Sequence, residues 1–131
     1  MSRYFLIYKH INGKWSVVKE RDENGVDDAI QSPFTVEVWV FERESYDLKK
    51  EIDTRIEWFR ELCEESENVE AHQAKCEKMW REIEELQKQY YEQLETELMI
   101  RSAVTREITE CKDDTTCIHN ILKKHGFIKV K

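Results

Sequence analysis

Between Pro33 and Gly126 the chain runs 92 residues without a glycine or a proline, and most of that stretch is Glu, Lys, Gln, Arg and Leu at helical spacing. Glycine and proline interrupt regular structure most strongly, so their absence predicts long helices whose ends are set by phase and capping. The residues before Pro33 carry a different pattern, that of strands.

Residues 3–10 and 14–20 are rich in aromatic and β-branched types and flank Asn12-Gly13. That dipeptide suits a two-residue type I′ turn, which needs positive φ at both positions, and so predicts a β-hairpin. The register then sets Ile11 opposite Lys14, His10 opposite Trp15, Tyr8 opposite Val17 and Ile7 opposite Val18, with apolar groups on both faces. Residues 21–33 read as a polar connection, with one helical turn at Val26–Gln31. Within it, Glu20-x-Asp22-x-Asn24-Gly25 has the alternating oxygens of half a calcium loop, but Gln31 stands where the closing Glu is needed, so a solvated loop is expected. Phe34–Phe41 alternates as a third strand, with Val36, Val38 and Val40 on one face and Glu37, Trp39 and Phe41 on the other. Ser45 is placed to cap the helix that follows.

Phase decides whether the long segment is one helix or two. At about 100° per residue, Leu48, Ile52, Ile56, Phe59 and Leu62 cluster near 25°, whereas Val69, Cys76, Met79, Ile83, Leu86, Tyr90, Leu94, Leu98, Val104 and Ile108 cluster near 250°. A jump of roughly 130° exceeds the drift of about 20° per heptad that a continuous coiled-coil stripe would show. A break is therefore expected within 64–70, with Ser66 or Asn68 starting the second helix. The two helices would span about 19 and 42 residues, or roughly 28 and 63 Å. Thr115 or Thr116 can cap a last short helix that Gly126 ends.

The expected fold is α+β: a small N-terminal antiparallel sheet of three strands, with the C-terminal tail as a candidate edge strand, packed against a long unequal helical hairpin. At 131 residues one domain is expected, divided into a β-meander (1–44), the helical hairpin (45–110) and a short helix with an extended tail (111–131).

The chain has a formal net charge of -7 and a pI near 5.2. This argues against broad binding to a nucleic-acid backbone, whose affinity comes from Lys and Arg displacing counterions. Residues 42–110 hold 20 acids against 11 bases, while the last eleven residues hold Lys123, Lys124, Lys129 and Lys131 and no acid. No stretch approaches the roughly 18 apolar residues of a membrane span, and the N-terminal apolar run is too short for a signal sequence. A cytoplasmic protein without a membrane partner is expected, with Cys63, Cys76, Cys111 and Cys117 as thiols.

Candidate chemistry is sparse. Cys111, Cys117, His119 and His125 are four potential zinc ligands, though without the short Cys pair that usually opens a structural site. Cys63, His72 and Cys76 form a second, incomplete set. There is no phosphate-cradling glycine loop, Gly-x-Ser-x-Gly or His-Glu-x-x-His, so neither a catalytic centre nor a cofactor is expected.

Aromatic placement points elsewhere. Trp58 lies about 105° from the first helix's apolar stripe and Tyr91 about 90° from the second's, and large amphipathic aromatics are enriched at interface hot spots. The longer helix also leaves roughly 35 Å of stripe beyond its partner, and the sheet, the C-terminal segment or a second copy of the chain must cover it. Trp58, Tyr90, Tyr91, Leu94, Leu98, Val104 and Ile108 are accordingly the candidate interface, with homodimerisation through the second helix expected. Glu97 and Arg101 read as a surface i,i+4 pair.

The function expected is that of a non-enzymatic protein-interaction module, an adaptor or inhibitor, with a protein partner. A compact acidic chain without a catalytic motif is similar in class to small phage-encoded inhibitors of host machinery. The alternatives are a small-ligand or nucleotide pocket built from Tyr4, Tyr8, Trp15, Trp39, Arg43 and Arg55, and a zinc-stabilised module using the C-terminal Cys/His set.

Overall fold

The computed structural model describes residues 2–64 and 73–131. The fold is α+β, and the chain divides into two compact units, one of Met1–Arg43 with Thr96–Lys131 and one of Glu44–Glu95. The division does not follow the chain order of sheet, hairpin and tail. It cuts through a long helix.

The first unit holds a four-stranded antiparallel sheet of β1 (Tyr4–His10), β2 (Lys19–Arg21), β3 (Thr35–Glu42) and β4 (Ile128–Lys129), ordered β2-β1-β3-β4. A meander would put β2 in the middle. Instead helix α1 (Glu23–Gln31) carries the chain from β2 to the far side of β1, so β3 pairs with β1 from Tyr4↔Glu42 to His10↔Thr35. The expected solvated loop is the start of this helix: Asp22 is its N-cap and accepts the Gly25 amide at 2.9 Å.

The first hairpin turns differently from the type I′ expectation. Gly13 has φ +88°, but Asn12 is not in the left-handed region; its Oδ1 instead accepts the Lys14 amide at 2.9 Å. His10 and Lys14 close a three-residue connection, with the Gly13 amide donating to the His10 carbonyl, the arrangement in which a left-handed glycine follows a type I turn. Near the turn the pair is Lys9↔Trp15 rather than His10 with Trp15, whereas Leu6↔Lys19 keeps the expected offset. One extra residue in the second strand absorbs the difference. Val18 is buried as a result, and Val17 is exposed.

Both faces of the sheet are covered. Leu6 and Val38 meet Val26, Ala29 and Ile30 of α1. On the opposite face Phe5, Ile7 and Trp39 pack with Val104, Ile118, Leu122 and Phe127, from the far end of α3 (Gln73–Cys111), from α4 (Thr115–Lys124) and from the segment after it. The alternation read from Val36 to Phe41 sorts Val38 and Val40 from Trp39 and Phe41 in this way. Each fully buried side chain of this size contributes roughly 1.5–3 kcal/mol. Gly126, at φ +86°, ends α4, and the Phe127 amide reaches back to the Leu122 carbonyl at 2.9 Å.

Ion pairs fix the ends of this unit. Arg43, immediately after β3, is 3% exposed and donates through Nε at 2.9 Å to Glu97, which is fully buried. Glu97 is therefore not the surface partner of Arg101. Arg101 bonds Glu20 at 3.0 Å instead, and Glu20 also faces Arg43. At the other end Glu37 accepts from His119 at 2.7 Å and lies 3.3 Å from Lys129. Glu107 accepts from Lys124 and His125, and these hydrogen bonds, Lys124's first, hold its carboxyl below the usual range.

The second unit is a helical hairpin of α2 (Glu44–Phe59), a single π-helical turn (Arg60–Glu64) and the first part of α3. Phe59 meets Trp80 at 5.2 Å, Arg55 reaches Glu82 at 3.0 Å and Cys63 is bonded to Cys76, which makes the two helices antiparallel. The expected break lies outside the described residues, as do its candidate caps Ser66 and Asn68. Helix α2 begins at Glu44, so Ser45 is a buried residue of its first turn rather than its cap. α3 runs as one helix from Gln73 to Cys111.

The length mismatch has a simple resolution. From Thr96 onward α3 belongs to the first unit, and its stripe, Ile100, Val104, Ile108 and Cys111, is packed in the sheet's core. No second copy of the chain is needed to cover it.

All four cysteines are paired, Cys63 with Cys76 and Cys111 with Cys117. The expectation of thiols is overturned: the hairpin brings the first pair together and the tight turn between α3 and α4 brings the second. Zinc ligation by these sulfurs is overturned with it.

Three outcomes follow. Arg43→Met should lower stability by about 3–5 kcal/mol because it removes the cation that faces the fully buried Glu97 carboxylate, and adding Glu97→Leu should restore part of that loss in urea denaturation. Glu107 has a depressed folded pKa, so its contribution is present above about pH 4.5 and is lost as pH falls through the folded value. Thermal melts of Glu107→Gln should accordingly lose less stability than the parent between neutral pH and pH values below 4.5. Replacing Cys63 and Cys76 together by Ala should cost the hairpin about 3 kcal/mol, read from far-UV circular dichroism in urea.

Candidate functional site

The Cys/His set at the C-terminus does not converge. Its two sulfurs form a disulfide, His119 is bound to Glu37 and His125 to Glu107. Among the described residues no group of three or more His, Cys, Asp or Glu side chains is placed to hold a metal ion. In the second set Cys63 and Cys76 are bonded to each other, and His72 lies outside the described residues.

The proposed ligand pocket is also not assembled. Tyr4 and Tyr8 pack on the α1 face of the sheet, and Trp15 and Trp39 on the opposite face, since odd and even positions of β1 and β3 point apart. Arg43 is consumed by Glu97 and stacks 4.5 Å from the Phe5 ring, while Arg55 lies in the other unit, bonded to Glu51 and Glu82. The indole N–H groups of Trp15 and Trp39 are buried without an acceptor among the described residues, and both rings pack against His119. A small depression of about 230 Å³ beside Trp15 is floored by Ile7, Val18 and Ile108.

The interface set divides. Val104 is fully buried and Ile108 packs against the core, so neither is available to a partner. Tyr90 and Leu94 are half-buried. Trp58, Tyr91 and Leu98 are 56%, 66% and 45% exposed, and Trp58 lines a cavity.

That cavity is a groove of about 540 Å³ on the hairpin. Arg55, Trp58 and Leu62 line one wall at i, i+3 and i+7 along α2 and its π turn. Lys75, Met79 and Ile83 line the other at i, i+4 and i+8 along α3. These spacings put each triplet on one helix face. Ile83 is fully buried and forms part of the floor, whereas Trp58 stands on the rim. Glu61 and Glu82 complete the lining, and Arg55 is held by Glu51 at 3.1 Å and Glu82 at 3.0 Å. The Cys63–Cys76 bond closes the hairpin within one residue of Leu62 and Lys75.

The phase count found Trp58 but missed the groove. Leu62, Met79 and Ile83 read as ordinary core stripe. The available signal was the coincidence of Cys63 with Leu62 on one helix and of Cys76 with Met79 on the other, which fixes the two walls opposite each other once the disulfide is recognised.

The arrangement offers apolar contact, one exposed indole and a mixed-charge rim. Its lining holds no serine, cysteine or histidine side chain. Comparisons with protein-family models, with curated proteins and with solved structures each return no match.

Proposed function

We propose that the chain is a non-catalytic protein-binding module, an adaptor or inhibitor, that engages its partner through the hairpin groove. The observation that carries this is Trp58, 56% exposed on the rim of a 540 Å³ groove whose floor is apolar. An exposed indole beside an apolar floor is available for contact, and Trp is among the residue types most enriched at interface hot spots. The disulfide supports the same reading, because fixing the walls before binding reduces the ordering cost of association.

Dimerisation through the far end of α3 loses its motive, since the sheet covers that stripe. The two disulfides also bear on location. They favour an oxidising compartment over the cytosol anticipated from the N-terminal sequence. No helix among the described residues is long and apolar enough to cross a membrane.

Trp58→Ala should leave the far-UV spectrum unchanged and weaken partner binding by about 2 kcal/mol, roughly thirtyfold. Parallel affinity capture from the native host with the parent and the variant provides the check. A protein retained by the parent and lost from the variant supports the reading, and identical capture by both overturns it.

A further inference from the structure

We infer that the hairpin groove receives a basic amphipathic helix of the partner, an inference that rests on the binding-module reading above. Three features lead to this occupant. The first is the nature of the walls. Both are α-helical, so their backbone groups are satisfied internally, and the groove offers no strand edge to pair an extended peptide's amides and carbonyls. A helix brings its own backbone hydrogen bonds and needs only side-chain contact.

The second feature is length. The lining runs from Arg55 to Leu62 on one wall and from Lys75 to Ile83 on the other, about 10–12 Å at 1.5 Å per residue. That is two helical turns, the distance over which an amphipathic helix presents apolar anchors at i, i+3 or i+4, and i+7. Trp58, Leu62, Met79 and Ile83 supply the complementary apolar surface.

The third feature is charge. Residues 44–95 hold sixteen Asp and Glu against eight Lys and Arg, a net -8, so the rest of the chain is close to neutral within the total of -7. The acid surplus is thus concentrated on the unit that carries the groove. Glu57, Glu61, Glu64, Glu77, Glu84 and Glu85 are exposed and make no ion pair with another described residue. Arg55 does not offset them, being already committed to Glu51 and Glu82. Lys75, on the rim, is likewise unpaired among the described residues and accommodates one acidic or polar position on the incoming helix. The anchors are therefore apolar and the flanks Lys- and Arg-rich, a combination in which long-range attraction speeds encounter and the groove sets residence.

The test is a selection from a random display library of 16-residue peptides against the full disulfide-bonded chain, with Trp58→Ala as counter-selection. Enriched peptides should carry apolar residues at i, i+3 or i+4, and i+7, should be net basic, and should lose binding about tenfold or more to the variant. By fluorescence anisotropy their affinity should fall severalfold between 50 and 200 mM salt. Enrichment of neutral or acidic sequences that still depend on Trp58 would overturn the basic-helix inference and leave the groove standing. Enriched peptides indifferent to Trp58→Ala, or no enrichment at all, would overturn both.

Discussion

The Arg43–Glu97 pair is the constraint on which the arrangement of the first unit depends. A guanidinium and a carboxylate, 3% and 0% exposed, are costly to remove from water, and attraction repays that cost only when geometry is good and the remaining donors are used. Here they are: Nε meets Glu97, Nη1 faces the Ser2 carbonyl and Glu20, and the guanidinium plane lies over the Phe5 ring. The pair joins the residue that leaves β3 to the second residue of the helical segment that re-enters the unit at Thr96. Its value is therefore as much positional as energetic. A shift of α3 by one residue would rotate Glu97 by about 100° and strand both charges, while also turning Val104 away from the sheet. Hydrophobic packing alone would tolerate such a slip more readily than a buried charge pair can.

One helix, α3, contributes to both units. Along α3 the first stretch packs in the hairpin and the second packs under the sheet, and the same apolar stripe serves both. Nothing in the local sequence marks the transition between Glu95 and Thr96, because helix propensity and periodicity are unchanged there. What changes is the neighbour. In the hairpin the helix is tied by the Cys63–Cys76 bond, by Phe59 against Trp80 and by the Arg55–Glu82 pair. Beyond Thr96 it is tied by Glu97, Val104 and Glu107.

Much of the fold was legible because period-2 and period-3.6 patterns are local. The alternation from Val36 to Phe41 and the glycine that ends α4 each follow from nearest neighbours, and so does the extended tail that supplies the fourth strand. The failures involve long-range pairing. Glu97 looked like half of an i,i+4 pair with Arg101, because sequence offers no view of Arg43, 54 positions away. Asn12-Gly13 matched a type I′ turn, but the asparagine side chain satisfied the Lys14 amide and left only glycine with positive φ. Strand order also depended on α1, whose cap Asp22 had been counted as part of a polar loop. The cysteines failed for another reason: their pairing was judged from compartment, whereas the hairpin geometry brings Cys63 and Cys76 within 6.0 Å Cα to Cα.

The candidate site shows the same division between local and distant information. Trp58 could be singled out from one helix, since an indole about 105° off its own stripe has no place in the hairpin core. The groove beside it could not, because its walls belong to helices whose register is fixed by a covalent bond and an ion pair rather than by periodicity. Charge, by contrast, is legible without any structure, and its segregation becomes meaningful only with the structure. The surplus of acid lies on the unit that carries the groove, while the other unit is nearly neutral. A protein that only needed solubility could spread its charge evenly. Concentrating the acid on the unit that carries Trp58 and the groove gives a partner both a direction of approach and a place to stop.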